Sequence, residues 1–174
     1  AEQLLERFAK KGVIWDVVGV SALIDVYERN ENLRTLLGIE EGVTELNLAK
    51  KQVDPGQAMV LAKELQTGRA TASIASLTLD SNGIFGELWG SGNVKEADKF
   101  VTEVRPLLDA LKTSSISSLS LRGTGMGVKG IIAATDAIRA MASLTKVVIT
   151  GAAIGADDVA ALRSAAPTGC EVVW

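Results

Sequence analysis

Histidine is absent from the 174-residue sequence. Its absence removes Ser–His–Asp and Cys–His nucleophilic machinery, imidazole proton shuttles and most zinc sites. There is one cysteine, Cys170, so neither an intrachain disulfide nor a multi-cysteine metal site can form. Such thiol poverty favours a reducing compartment. Aromatic residues make up 4 % of the chain, against 47 % hydrophobic residues in all. That suits thin, regular aliphatic layers better than one large irregular core. A basic stripe is also lacking. Residues 1–42 carry the whole net charge of −3, with eight acids and five bases, and the remainder holds thirteen of each. Backbone recognition of nucleic acid needs clustered positive charge, so no nucleic-acid partner is expected. The longest apolar stretch, Val13 to Val26, is interrupted by Asp16 and Asp25. It also falls short of the roughly 20 residues a membrane-spanning helix needs. No secretory leader pattern opens the chain. The expectation is an intracellular, cytoplasmic protein. Because the chain begins with Ala1 rather than Met, an organellar location after loss of a targeting segment stays open.

What the sequence does have is a recurring aliphatic pattern. Four segments place apolar residues at positions one, four, six and eleven. They are Val43-Leu46-Leu48-Val53, Ile74-Leu77-Leu79-Ile84, Ile116-Leu119-Leu121-Met126 and Leu144-Val147-Ile149-Ile154. Agreement at all sixteen positions has a chance on the order of 10⁻⁵ at this hydrophobic content. A fifth half-segment starts at Cys170 and supplies Val173.

A helical stretch follows each strand-like half. Asp54-Pro55 is a helix start, with Ala58, Leu61 and Leu65 inward. Ala97 to Leu111 is a second helix, which Pro106 should break or kink. Gly130 to Met141 is a third, and Asp157-Asp158 open the last, where carboxylates favour the helix dipole. Residues 1–42 differ. A helix from Glu2 to Lys11, a second from Ser21 to about Asn30 and a short turn with Leu33, Leu36 and Leu37 form an acidic helical segment. A stacked array exposes the apolar edge of its first layer, so this segment is the expected N-terminal cap.

The alternation resembles the ribonuclease-inhibitor-like subclass of leucine-rich repeat proteins over about residues 43–174. The resemblance implies an α/β solenoid with parallel strands on the concave side and helices on the convex side. The strand motifs Glu45-Leu46-Asn47-Leu48, Ser76-Leu77-Thr78-Leu79 and Ser118-Leu119-Ser120-Leu121 carry it. The family's turn asparagine, which bonds neighbouring backbone, is matched only by Asn82. Lys51, Thr124 and Ala152 hold the other places. Segment starts at Val43, Ile74, Ile116 and Leu144 leave the second unit longest, so residues 85–96 are an insertion expected to emerge as a loop.

Chemistry-bearing patterns are few. Glu40-Glu41 and Asp157-Asp158 are carboxylate neighbours, but adjacent helical residues point roughly 100° apart, so neither pair faces one pocket. Gly125-Met126-Gly127-Val128-Lys129-Gly130 matches GxGxxG between a strand and a helix, the context of a dinucleotide fingerprint. Yet Met126 fills an inward position, and the next strand, Thr145 to Thr150, lacks an acid for a ribose. A tight strand-to-helix turn that needs small residues is the expected use of these glycines.

Period-2 alternation sends Glu45, Asn47 and Ala49, then Ser76, Thr78 and Asp80, to the outer sheet face. Ser118, Ser120 and Arg122 follow, then Lys146, Val148 and Thr150, then Val172 and Trp174. Interface anchors favour Trp and Arg, so Arg122, Trp174 and the insertion's Phe85 and Trp89 are the strongest candidates. The expected function is a non-enzymatic scaffold without cofactors. It would bind a protein partner through Glu45, Asn47, Thr78, Asp80, Ser118, Ser120, Arg122, Lys146 and Trp174 together with the 85–96 loop. The alternatives are a structural subunit of a larger multiprotein assembly, and a nucleotide-binding domain using Gly125 to Gly130.

Overall fold

The computed structural model describes residues 17–149 and 154–174. The expected helix over Glu2–Lys11, Thr150 and Ala152 lie outside them. The chain is an α/β protein with a parallel five-stranded sheet. In chain order, α1 (Val17–Arg29) is followed by β1 (Glu45–Asn47), α2 (Pro55–Thr67) and β2 (Ser76–Thr78). Then come β3 (Glu87–Leu88), β4 (Val94–Glu96), α3 (Val101–Lys112), β5 (Ser118–Ser120) and α4 (Val128–Ala140). β6 (Lys146–Val148), α5 (Ala156–Ala165) and β7 (Glu171–Val173) complete it. The sheet order is β1-β2-β5-β6-β7, all parallel, and β3 pairs only with β4 in an antiparallel hairpin.

Leu46, Leu77, Leu119, Val147 and Val172 stand in one register across the sheet. The first four are buried. So are fifteen of the sixteen pattern residues, Val43 being the half-buried exception. The inward faces of α2 to α5 join the same core, and each helix packs against the next in the chain.

The backbone geometry recurs with the apolar pattern. Ala75 and Ser76 both donate to the Thr44 carbonyl, Ser117 and Ser118 to that of Ala75, and Thr145 and Lys146 to that of Ser117. At the eighth position of successive segments, Lys50, Ser81 and Gly123 all adopt a left-handed conformation, with φ of 56°, 56° and 59°. Asn82 is buried beneath this turn. It donates to the carbonyls of Leu48, Leu79 and Asp80, and its side-chain oxygen accepts from Val53 at 3.0 Å. Thr124, at the matching place, reproduces only the bond to the carbonyl three residues back, on Leu121.

Several sequence expectations shift. The second helix begins at Val17, earlier than Ser21. Its C-terminal carbonyls are capped from α2's side. Arg69 donates to Tyr27, Asn30 and Leu33 and lies 4.4 Å over the Tyr27 ring. Glu64, almost fully buried, accepts from Thr35, Leu36 and Leu37. These contacts seat the preceding segment on α2. Pro106 does not end α3, which runs on to Lys112. The carbonyl that loses its helical donor is that of exposed Thr102, where water can replace the bond. The same helix starts four residues later than expected, because Ala97–Phe100 is used to close the insertion.

The last strand is displaced by one residue. The turn before it closes at Cys170, as at Ile74 and Leu144, but the strand begins one residue sooner after that turn. Val172 therefore takes the inward place expected of Val173, and packs on the core. A one-residue slip reverses every side chain. Trp174 accordingly falls in line with core residue Ile149 and is 54 % exposed. Val148, expected on the outer face, is also buried.

Candidate functional site

Two surfaces carry the candidate residues. The first is the outer row of the sheet. Its middle is organised around Asp80, whose carboxylate accepts from the Ser120 hydroxyl at 2.6 Å and the Arg122 amide at 2.9 Å. The Arg122 side chain lies 4.0 Å away and stays half exposed. Further along, Lys146 pairs with Glu171 at 2.9 Å. Asn47 turns its amide oxygen onto the Ala49 N–H. Glu45 is exposed, and Thr78 and Ser118 are half buried beside these groups. The sheet thus brings Asp80, Ser120 and Arg122 together as one polar cluster, with Lys146 and Glu171 as a second.

The second surface is built by the insertion. Its ends meet, since the Phe100 amide donates to the Phe85 carbonyl at 2.8 Å. Phe85 itself is fully buried, so it offers no contact surface; its ring fills the core beneath the insertion. Phe85 and Gly86 both donate to the Thr124 carbonyl, and Asp98 donates to that of Gly125. The insertion is therefore fastened to the glycine-rich turn of the following unit.

Those glycines have a structural use. The Asp98 carboxylate accepts from the amides of Gly127 at 2.7 Å, Lys129 at 2.8 Å and Gly130 at 2.9 Å. Three amides at a helix start form an anion site, and here the anion is supplied by the chain. A β-carbon at Gly127 or Gly130 would stand 2.6 Å or 2.7 Å from an Asp98 oxygen. Sequence reasoning detected the anion-binding geometry through GxGxxG but had no signal for Asp98, almost thirty residues upstream.

The hairpin β3–β4 projects from this base. Glu87 is bonded by Lys95 and Lys99, and these contacts lower its carboxyl to about 2. Lys95 lies 5.0 Å over the Trp89 ring, and Trp89 is 56 % exposed. Between the hairpin, the turn at Lys50–Asp54 and the starts of α2 and α3 lies a groove of about 1120 Å³. Of the expected partner-binding loop 85–96, residues 86–93 line it, Trp89 among them; none of the selected strand-row residues does. Glu103 on its wall was not singled out by sequence. Its Oε2 is withdrawn from solvent and has no hydrogen-bond partner among the described residues.

No helix among the described residues is long and apolar enough to cross a membrane. No family model matches this chain, and no curated protein matches it either.

Proposed function

We propose that the chain is a short leucine-rich-repeat solenoid acting as a non-catalytic scaffold. It engages a protein partner through the outer strand row and the hairpin. The observation that carries this reading is the ordered row of polar side chains along successive parallel strands and the turns that follow them, centred on Asp80, Ser120 and Arg122. The recurring turn geometry supports the repeat assignment, and the exposed Trp89 and half-exposed Arg122 are side chains of the kind that anchor interfaces. Arg122→Glu and Trp89→Ala, tested separately in pull-downs from the native extract, should each reduce recovery of the partner bound by the parent. Unchanged recovery in both would remove these surfaces from consideration.

A structural subunit is the second reading. Exposed apolar pairs one helical turn apart, Leu23 with Val26 on α1 and Val128 with Ile132 on α4, favour it. Gel filtration of a native lysate separates the two: this reading requires stable co-migration in a larger complex. The nucleotide reading loses its footing, because the amides a phosphate would use are held by Asp98. Titration with NAD and ATP to millimolar ligand tests it, and no binding is expected.

A further inference from the structure

We infer that Glu64 is a proton-operated clasp on the segment that precedes β1. With its carboxyl neutral, the turn at residues 35–39 stays seated on α2. With it ionised, the turn lets go of α2 more often, while the sheet stays closed. This goes beyond the partner reading and does not depend on it.

Geometry sets up the clasp. Glu64 is 1 % exposed. Its Oε1 accepts from the Leu36 amide and from the Leu37 amide at 2.9 Å, and both carboxyl oxygens lie 3.0 Å from the Thr35 hydroxyl. A neutral carboxyl fits this seat without loss. Oε1 keeps the two amides, and a proton on Oε2 is donated to the Thr35 oxygen, which already accepts from the Ile39 amide at 3.0 Å. Thr35 is half-buried, so its own hydrogen can turn to solvent.

An ionised carboxyl meets no cation in this seat. Lys63 pairs with Glu28 of α1, Arg34 with Glu41, and on α3 Lys112 with Asp109. Arg69 directs its donors to the carbonyls of Tyr27, Glu28, Asn30 and Leu33, and the Tyr27 hydroxyl is shared with Thr67. A buried charge without a counter-ion is costly. Burial here outweighs the bonds from Leu37, Leu36 and Thr35 and raises Glu64 above 4.5. Opening the turn lets water reach the carboxylate and restores the ordinary value. Closing therefore takes up a proton: the hold is complete below 4.5 and weakens as pH rises through the closed-state value. Arg69 stays charged throughout and supplies a hold that pH does not change. The turn itself carries Leu37 and Ile39, both buried members of the core.

Amide hydrogen exchange of the ¹⁵N-labelled full chain, expressed as protection factors between about pH 4 and 8, tests the clasp. Leu36 and Leu37 should be less protected at every pH than Leu121, whose amide bonds the Val148 carbonyl in the sheet. Their protection should fall as pH rises, about tenfold for each unit between the closed-state and open-state values. The fall should level off at the pH where the Glu64 carboxyl carbon titrates in the parent's NMR spectrum. Glu64→Gln keeps the acceptor and the donor of the neutral form, so it should hold the low-pH protection across the whole range. Protection equal to that of Leu121, a pH-independent value in the parent, a fall that does not follow the carboxyl titration, or an undiminished fall in Glu64→Gln would each overturn the proposal. Should Glu64→Gln fail to fold, the parent's exchange and titration curves decide alone.

Discussion

Gly86 and Gly125 meet backbone to backbone. A β-carbon on Gly125 would stand 2.7 Å from the Gly86 Cα, and one on Gly86 would run into the Gly125 carbonyl oxygen. Gly125 is moreover left-handed, at φ 76°. Gly125→Ala therefore adds conformational strain to a backbone clash, and should cost about 2–4 kcal/mol. Urea denaturation measures it, and an unchanged midpoint would mean the insertion is not seated there.

Asp98→Ala should strip three amides at the start of α4 of their acceptor, at a cost of about 2–3 kcal/mol. Hydrogen exchange at Gly127, Lys129 and Gly130 should accelerate. The vacated site should also become anion-responsive: phosphate should raise the melting temperature of the variant more than that of the parent. Equal responses would show that Asp98 is not what fills the site.

Asn82→Ala should cost about 3 kcal/mol, since it leaves the Val53 amide and buried carbonyls unpaired. The corresponding Thr124→Ala, which breaks one bond, should cost about 1 kcal/mol. Chemical denaturation of the two variants side by side checks the ratio.

Two carboxyls should move stability with pH in opposite senses. Burial raises Glu64 above the ordinary value of 4.5, against the pull of its hydrogen bonds from Leu37, Leu36 and Thr35. Folding then takes up a proton, so this group makes stability fall as pH rises from 4.5 through the folded-state value. Glu64→Gln should flatten that decline in urea midpoints taken across the weakly acidic range. Glu87 is lowered from 4.5 to about 2 by Lys95 and Lys99, so its contribution stands above 4.5 and is lost as pH falls through about 2. Lys99→Ala should bring its NMR titration midpoint back towards 4.5.

Aliphatic periodicity made the core legible from sequence, because burial of the middle strand residue leaves little choice of register where both neighbours are strands. At the chain's last strand the neighbour is on one side only, and a single missing residue after Cys170 reversed the outward set, which periodicity alone could not detect. Phe85 was misjudged for a different reason. An aromatic residue in an insertion suggests an exposed tip, but here it is the point where the excursion leaves and rejoins the core. Asp98, Glu64 and Glu103 were illegible because their significance lies in long-range partners, or in the lack of one, and local sequence carries no record of either. Periodicity assigned Asp80, Ser120 and Arg122 to one face but carried no signal that they bond to each other.

The 2.8 Å bond that joins Phe100 to Phe85 closes a ring around the hairpin. The excursion leaves and rejoins the core at that neck, and Gly86 and Asp98 fasten its base to the turn at residues 124–130. Residues 87–94 beyond that base should therefore accept changes of sequence and length without altering the spacing of the strands on either side. At the hairpin, then, surface chemistry can drift while the core is held fixed, whereas in the strand row outward and core residues alternate and are constrained together.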